Sequence, residues 1–276
     1  MPYIGGLMNI EKERTNDVTH IKNVIAIMSG KGGVGKSSVT SLMATALNNK
    51  GYSVGILDGD ITGPSIPKVF GINKQRATGT ETAVNPVATT TGIKVMSINL
   101  MMDDEESPVV WRGPVISNTV KQFYTDVNWG NLDYLLIDLP PGTGDVPLTI
   151  MQSFDIDGIV VVSSPQDLVK MIVKKSINMA GMLGVPILGL VENMSYLECP
   201  DCDKRIHIFG ESKVPEAAKE SNLEIISQIP IDPTFVKLCD EGRVELYLKE
   251  NYTFGENFEN QVETMVKGIR KSFKFS

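Results

Sequence analysis

An α/β fold with a doubly wound, mostly parallel sheet follows from three features of the sequence. Strand-like and helix-like segments alternate along almost the whole chain. Several strand segments are continuous apolar runs, the pattern of parallel strands covered on both faces. The first strand-to-helix junction carries Gly30-Lys31-Gly32-Gly33-Val34-Gly35-Lys36-Ser37, in the strand–loop–helix setting that a phosphate-binding loop requires.

The first predicted strand is Val24–Ser29, and the helix after the glycine-rich run covers residues 37–50. Ser53–Asp58 and Ile93–Asn99 are the next strands, separated in part by residues 74–91, a polar surface excursion with no clear chemistry. Tyr134–Leu139, Gly158–Ser163, Ile187–Glu192 and Ile225–Ile229 complete the set. Helical patterns lie between them at 114–127, 145–153, 166–183, 213–221 and 232–241. Such alternation implies ligands at the carboxyl ends of the strands. Residues 1–20 are polar and read as a flexible arm, which leaves 21–276 as a single domain without an internal repeat or linker.

Composition sets the surroundings. A chain of 276 residues with 42% hydrophobic content can bury a substantial core. A net charge of −7 argues against general nucleic-acid binding, which needs clustered positive charge. No apolar run approaches membrane-spanning length, and Met1 to His20 lacks the apolar stretch of a secretory signal. Three cysteines, two of them close together, make no disulfide framework. The expectation is a cytoplasmic protein with neither nucleic acid nor membrane as partner.

In the glycine-rich run the backbone can curl so that several N–H groups meet one anion at the positive end of the following helix. Residues Gly30 to Ser38 form the expected cradle for ATP. Lys36 reaches the terminal phosphates and the Ser37 hydroxyl ligates Mg²⁺. Asp138 ends an apolar strand, the place for a carboxylate facing the metal. Leu139 to Asp145, rich in turn formers, suits a phosphate-sensing switch. Asp58 and Asp60 end the second strand; they read either as turn caps or, more in keeping with converging strand ends, as switch residues. Asp60 is the candidate for orienting the attacking water, with Asp58 in support.

Lys31 is an extra lysine that an ordinary phosphate loop does not need. With it, Lys-Gly-Gly-Val-Gly-Lys-Ser resembles the deviant Walker A motif of the MinD/ParA/NifH class of P-loop ATPases. The resemblance implies that Lys31 crosses a dimer interface to the other subunit's nucleotide, a positive charge delivered in trans.

Cys199-Pro200-Asp201-Cys202 lies in a loop after the strand that ends Val191-Glu192-Asn193-Met194, within a metal-binding stretch near 194–209. Two thiolates hold one edge of a metal site, whereas tetrahedral and cubane sites need four ligands. Two subunits paired through Lys31 could bring two copies of Cys199 and Cys202 together on the two-fold axis. A bridging [4Fe–4S] cluster and a shared Zn²⁺ both fit that count. A redox role for the pair, and a zinc knuckle completed by His207, are weaker readings. Cys239 reads as a core thiol. Several segments together resemble the Mrp/ApbC family of iron–sulfur cluster carriers. They are the deviant Walker A, Asp58 to Pro67, Trp111 to Pro114, Asp138 to Asp145, and Glu192 to Tyr196 leading into Cys199 to Cys202. The resemblance spans roughly residues 22–250. It implies a homodimeric ATPase that carries a labile cluster on the paired thiols and delivers it to apo iron–sulfur proteins. It also implies that Asn193 touches the nucleotide base. No cysteine-rich N-terminal arm of the kind found in some eukaryotic relatives is visible, so a second cluster is not expected.

The rival reading is a MinD/ParA-type positioning or regulatory ATPase with a structural zinc site. Its argument is the C-terminal stripe Val262, Met265, Val266, Ile269 and Phe273 beside Lys267, Arg270, Lys271 and Lys274. A basic amphipathic helix can bind membranes, although the same stripe can simply pack on the domain. A small-molecule kinase is a third reading, and the chain shows no acceptor-side acid/base set for it.

Overall fold

Continuous apolar strands need cover on both faces, and the structure supplies it. A computed structural model of the chain describes residues 12–80, 83–102, 113–165, 169–202 and 204–272. Eight strands form the main sheet: β1 (Val24–Ser29), β2 (Val54–Asp58), β3 (Val87–Ala88), β4 (Lys94–Met96), β5 (Tyr134–Asp138), β6 (Gly158–Ser163), β7 (Ile187–Glu192) and β8 (Ile225–Gln228). Their spatial order is β8-β7-β6-β1-β5-β2-β4-β3, parallel throughout except for β3, which runs antiparallel to β4 at one edge.

Successive side chains in a strand point to opposite faces. Thus Ile25 and Ile27 enter one core while Val24, Ala26 and Met28 enter the other, and Tyr134 and Leu136 part from Leu135 and Ile137 in the same way. Helix α1 (Lys36–Asn49), the short α2 (Ile66–Val69), α7 (Pro233–Asp240), α8 (Tyr247–Glu250) and α9 (Tyr252–Ser272) cover the first face. On the second lie α3 (Gly113–Thr125), α4 (Asp145–Ser153), α5 (Val169–Leu183) and α6 (Val214–Glu220). The strand order reverses direction on either side of β1, so the loop after β1 opens at the crevice where open α/β sheets bind ligands.

Three segments differ from their sequence expectations. The strand anticipated over Ile93–Asn99 stops at Met96, because Ser97 turns its hydroxyl inward to Asp58 and a 3₁₀ turn, Ile98–Leu100, follows. The excursion at 74–91 contributes the edge strand β3 and a two-stranded ribbon, Thr78–Gly79 with Val84–Asn85. Residues 12–20, expected within a flexible arm, are hydrogen-bonded to the domain. Lys12 Nζ donates to Phe154 O (2.7 Å), Asn16 Nδ2 donates to Val127 O (3.2 Å), and His20–Ile21 pairs with Asn131–Leu132. Residues 1–11, 111–112 and 273–276, which include part of the arm, Trp111, Arg112, Phe273 and Lys274, lie outside the described residues.

Helix α9 turns its apolar stripe inward. Phe258 and Val262 are fully buried and Val266 and Ile269 join the same core, so these residues pack on the domain. No described helix is long and apolar enough to cross a membrane. Gly255 sits where α9 crosses α8: a Cβ there would lie 1.9 Å from Leu248 O. Overpacking against backbone costs roughly 1–3 kcal/mol, against the roughly 1 kcal/mol that alanine gains over glycine in a helix. Gly255→Ala is therefore expected to lower the thermal midpoint, and a midpoint at or above wild type would show that α8 and α9 separate freely.

Candidate nucleotide site and thiol hairpin

The phosphate loop is shaped by two glycines with left-handed backbone, Gly33 (φ 80°) and Gly35 (φ 75°). Gly35 is required twice, since a Cβ there would also lie 2.1 Å from Asn193 Nδ2. It caps α1 without a side-chain hydrogen bond, which leaves the first-turn N–H groups of the helix for an anion. A cavity of about 220 Å³ results, floored by the loop from Lys31 to Ser38 and walled by Ser29, Asp60, Ser65 and Pro141. Gly30 faces elsewhere: a Cβ on it would lie 2.3 Å from Ile172 Cγ2, so this glycine admits α5. A larger cavity of about 600 Å³ lies between α9 and the starts of β7 and β8, and its described lining includes Asp157 and Glu224.

Beneath the loop is a buried charge cluster. Lys36 Nζ lies 2.7 Å from Asp138 Oδ1, an ion pair whose side chains are 5% and 0% exposed, and Nζ makes no well-directed hydrogen bond. Ser37 Oγ donates to Asp138 Oδ2 (2.5 Å) and Thr40 Oγ1 donates to Oδ1 (2.7 Å). Asp58 is the register partner of Asp138 on the adjoining strand. It accepts from Ser97 Oγ (2.9 Å) and from the Asp60 N–H (3.3 Å). Burial, and then the Asp138 carboxylate, push Asp58 up to about 8, while Lys36 and the Ser97 hydroxyl pull the other way. Asp58 thus holds a proton beside the Lys36–Asp138 pair.

Lys31 is half-buried at the cavity rim and makes no ion pair among the described residues. Asp60 lines the same cavity and accepts from Thr62 Oγ1 (3.1 Å). The switch segment after β5 is tied to the loop by the Gly142 N–H, which donates to Ser29 O (2.9 Å). Asn193 is buried under the loop, where its Nδ2 donates to Val34 O (2.9 Å). Thr40, Ser65 and Ser97 were not singled out from sequence; only Thr40 carries a signal, a hydroxyl one helical turn beyond Ser37.

Cys199 and Cys202 occupy the tip of a hairpin. Leu197–Glu198 pairs antiparallel with Arg205–Ile206, and the Cys199 N–H donates to Lys204 O (3.0 Å). Arg205 lies 4.2 Å over the Tyr196 ring and steadies the base of the hairpin. Cys199 is half-buried, Cys202 is exposed, and His207 is exposed further along. No three His, Cys, Asp or Glu side chains gather as a metal site among the described residues. The knuckle with His207 is therefore not assembled. Cys239 packs against the core, where burial pushes its thiol up to about 11.

The Asp58 proton has a measurable sign. An unfolded Asp58 titrates near 3.8 and the folded one near 8, so its contribution to stability is complete below pH 4 and fades as pH rises through 8. In nucleotide-free protein, Asp58→Asn should remove that loss, so wild type falls in stability relative to the variant between about pH 5 and 8. A difference that stays constant across this range in urea melts would contradict the buried proton.

Comparison with known proteins places this geometry in a family. The family model described as "ParA: NUBPL iron-transfer P-loop NTPase" matches residues 20–266. An iron–sulfur cluster carrier protein of Clostridium perfringens is 48% identical over 247 residues, 87% of each chain. The cytosolic Fe–S cluster assembly factor CFD1 of Kluyveromyces lactis is 44% identical over 240 residues, 82% of this chain and 85% of that one. Among solved structures, a nucleotide-binding protein of Archaeoglobus fulgidus in complex with ADP superposes with a TM-score of 0.74 at 48% identity, covering 82% of this chain and 89% of its own. The cell-division ATPase MinD of Pyrococcus furiosus shares the fold, with a TM-score of 0.62 at 22% identity over 89% of this chain and 99% of its own. The chain belongs to the NUBPL iron-transfer family of ParA-type P-loop NTPases.

Proposed function

We propose that the protein is an ATP-hydrolysing carrier that receives a [4Fe–4S] cluster on Cys199 and Cys202 of two chains and passes it to apo iron–sulfur proteins. The observation that carries the reading is the thiol pair at the tip of an outward hairpin, in a chain that also holds a formed phosphate loop. Two thiols supply half of a cubane's ligands, and a second copy supplies the rest. Lys31, which makes no ion pair among the described residues, is the charge offered across the interface. Asp60 orients water. Lys36, now held by Asp138, is the group that turns to the terminal phosphates.

Mg²⁺ fits the donor set: Ser37 Oγ and Asp138 share one buried cluster beside the cavity and would hold the ion, which supplies charge neutralisation at the phosphates. Within the chain, Ser37 and Thr40 keep Asp138 oriented toward the loop, and Asp58, protonated, adds no second negative charge. Of the half-site on the hairpin, Cys202 is exposed and Cys199 is half-buried.

Anaerobic reconstitution with iron and sulfide tests the cargo. Wild type should take up about four irons per two chains, and Cys199→Ala/Cys202→Ala should take up none. Stoichiometric zinc in place of cysteine-dependent iron would make the pair a structural site and favour a regulatory ATPase. Lys36→Gln should abolish ATP hydrolysis, and Lys31→Ala should slow it about 10³-fold, the scale of a trans charge in phosphoryl transfer, with iron loading retained in both. Full hydrolysis by Lys31→Ala would remove the lysine from the mechanism.

A further inference from the structure

We propose that Glu192, acting with Asn193, is a positioning residue that ties the thiol hairpin to the phosphate loop, so that the loop's occupant is felt at Cys199 and Cys202. The inference rests on the carrier reading and names the connection that reading needs.

Glu192 is the last residue of β7 and is fully buried. A buried carboxylate is costly unless donors surround it. Three side chains supply them. Ser195 Oγ donates at 2.9 Å and Gln228 Nε2 at 2.5 Å, both to Oε2, and Ser212 Oγ donates to Oε1. Ser195 precedes the hairpin, Ser212 follows it, and Gln228 ends β8. One carboxylate therefore holds both ends of the segment that displays Cys199 and Cys202.

The adjoining residue faces the other way. Asn193 Nδ2 holds Val34 O, and its packing against Gly35 leaves no room for a Cβ. The link between these contacts is short and stiff. Asn193 N donates to Ser163 O (2.8 Å), Ser195 N donates to Ile229 O (2.9 Å), and Ile231 N donates to Tyr196 O (2.7 Å). Met194 between them has a left-handed backbone (φ 57°), a strained state for a non-glycine residue. A shift of Val34 thus moves Asn193, and the peptide that follows carries it to Ser195 and the clamped hairpin. Two discrete arrangements of a packed, hydrogen-bonded segment are what coupling between sites requires.

Peptide-resolved hydrogen exchange over residues 195–212 tests this, on metal-free protein with and without MgATP, at a dilution where light scattering reports single chains. Ser212→Ala cuts the far tie and Glu192→Gln weakens all three; Ser212→Thr keeps the hydroxyl. Wild type should change its exchange rates by about fivefold or more on adding ATP, the lower end of ordinary coupling. In Ser212→Ala and Glu192→Gln that response should fall below about twofold while ATP affinity is retained, and Ser212→Thr should restore it. A full response in Ser212→Ala and Glu192→Gln overturns the role of Glu192 and leaves the carrier reading standing. No response in wild type removes the coupling itself, and the ATP-driven carrier reading falls with it. Should Glu192→Gln fail to fold, Ser212→Ala and Ser212→Thr decide, because Ser212 lines no part of the nucleotide cavity.

Discussion

The Lys36–Asp138 pair is the constraint around which the nucleotide end of the molecule is arranged. An ion pair this deeply buried has to be hydrogen-bonded to be tolerable, and breaking one side of it leaves an uncompensated charge. The surrounding features answer that demand. Thr40 and Ser37 donate to the carboxylate, and Asp58 stays protonated because it is buried and lies beside Asp138. Ser97, in turn, ends β4 early in order to serve Asp58. A polar requirement at one atom thus fixes where a strand stops two positions along the sheet.

The same pair helps to hold the shape of the loop. Lys36 has a partner within its own chain, and the loop is held from beneath by Asn193. Preformed donors cost little reorganisation when a phosphate arrives. The thiol end is built on the opposite plan, a thin hairpin whose stiffness comes from the two ends of its segment rather than from a core.

Much of this was legible in the sequence because the signals were local. The apolar runs from Val24, Tyr134 and Gly158 have the length and continuity of buried strands, and they form strands with nearly the expected ends. The loop from Lys31 to Ser38 surrounds a cavity, and Asp60 lies on its wall. What sequence could not give was partnership across distance. Val87–Ala88 is too short for any periodicity and becomes a strand only because β4 lies beside it. Residues 12–20 are polar, yet their hydrogen bonds reach carbonyls over a hundred residues away. Gly30 and Asn193 sit in the right motifs, but the side chains that meet them, Ile172 and the loop backbone, decide what they do. Glu192 showed as a charge ending an apolar strand and opening the segment to Tyr196, and nothing local said that three donors would converge on it.

The position of β1 has a consequence for the making of the protein. The strand is near the start of the chain, yet Val24 pairs with Leu135 and Ile25 with Gly158. During synthesis the glycine-rich loop leaves the ribosome before either of the strands that flank β1, and about a hundred residues must follow Ser38 before β5 is complete. Pairings of such long sequence separation form slowly, because loop-closure entropy is lost before any contact is gained. The first-made part of the nucleotide site is therefore among the last to acquire its shape, and a chain truncated before β5 has a phosphate-loop sequence with no sheet to hold it.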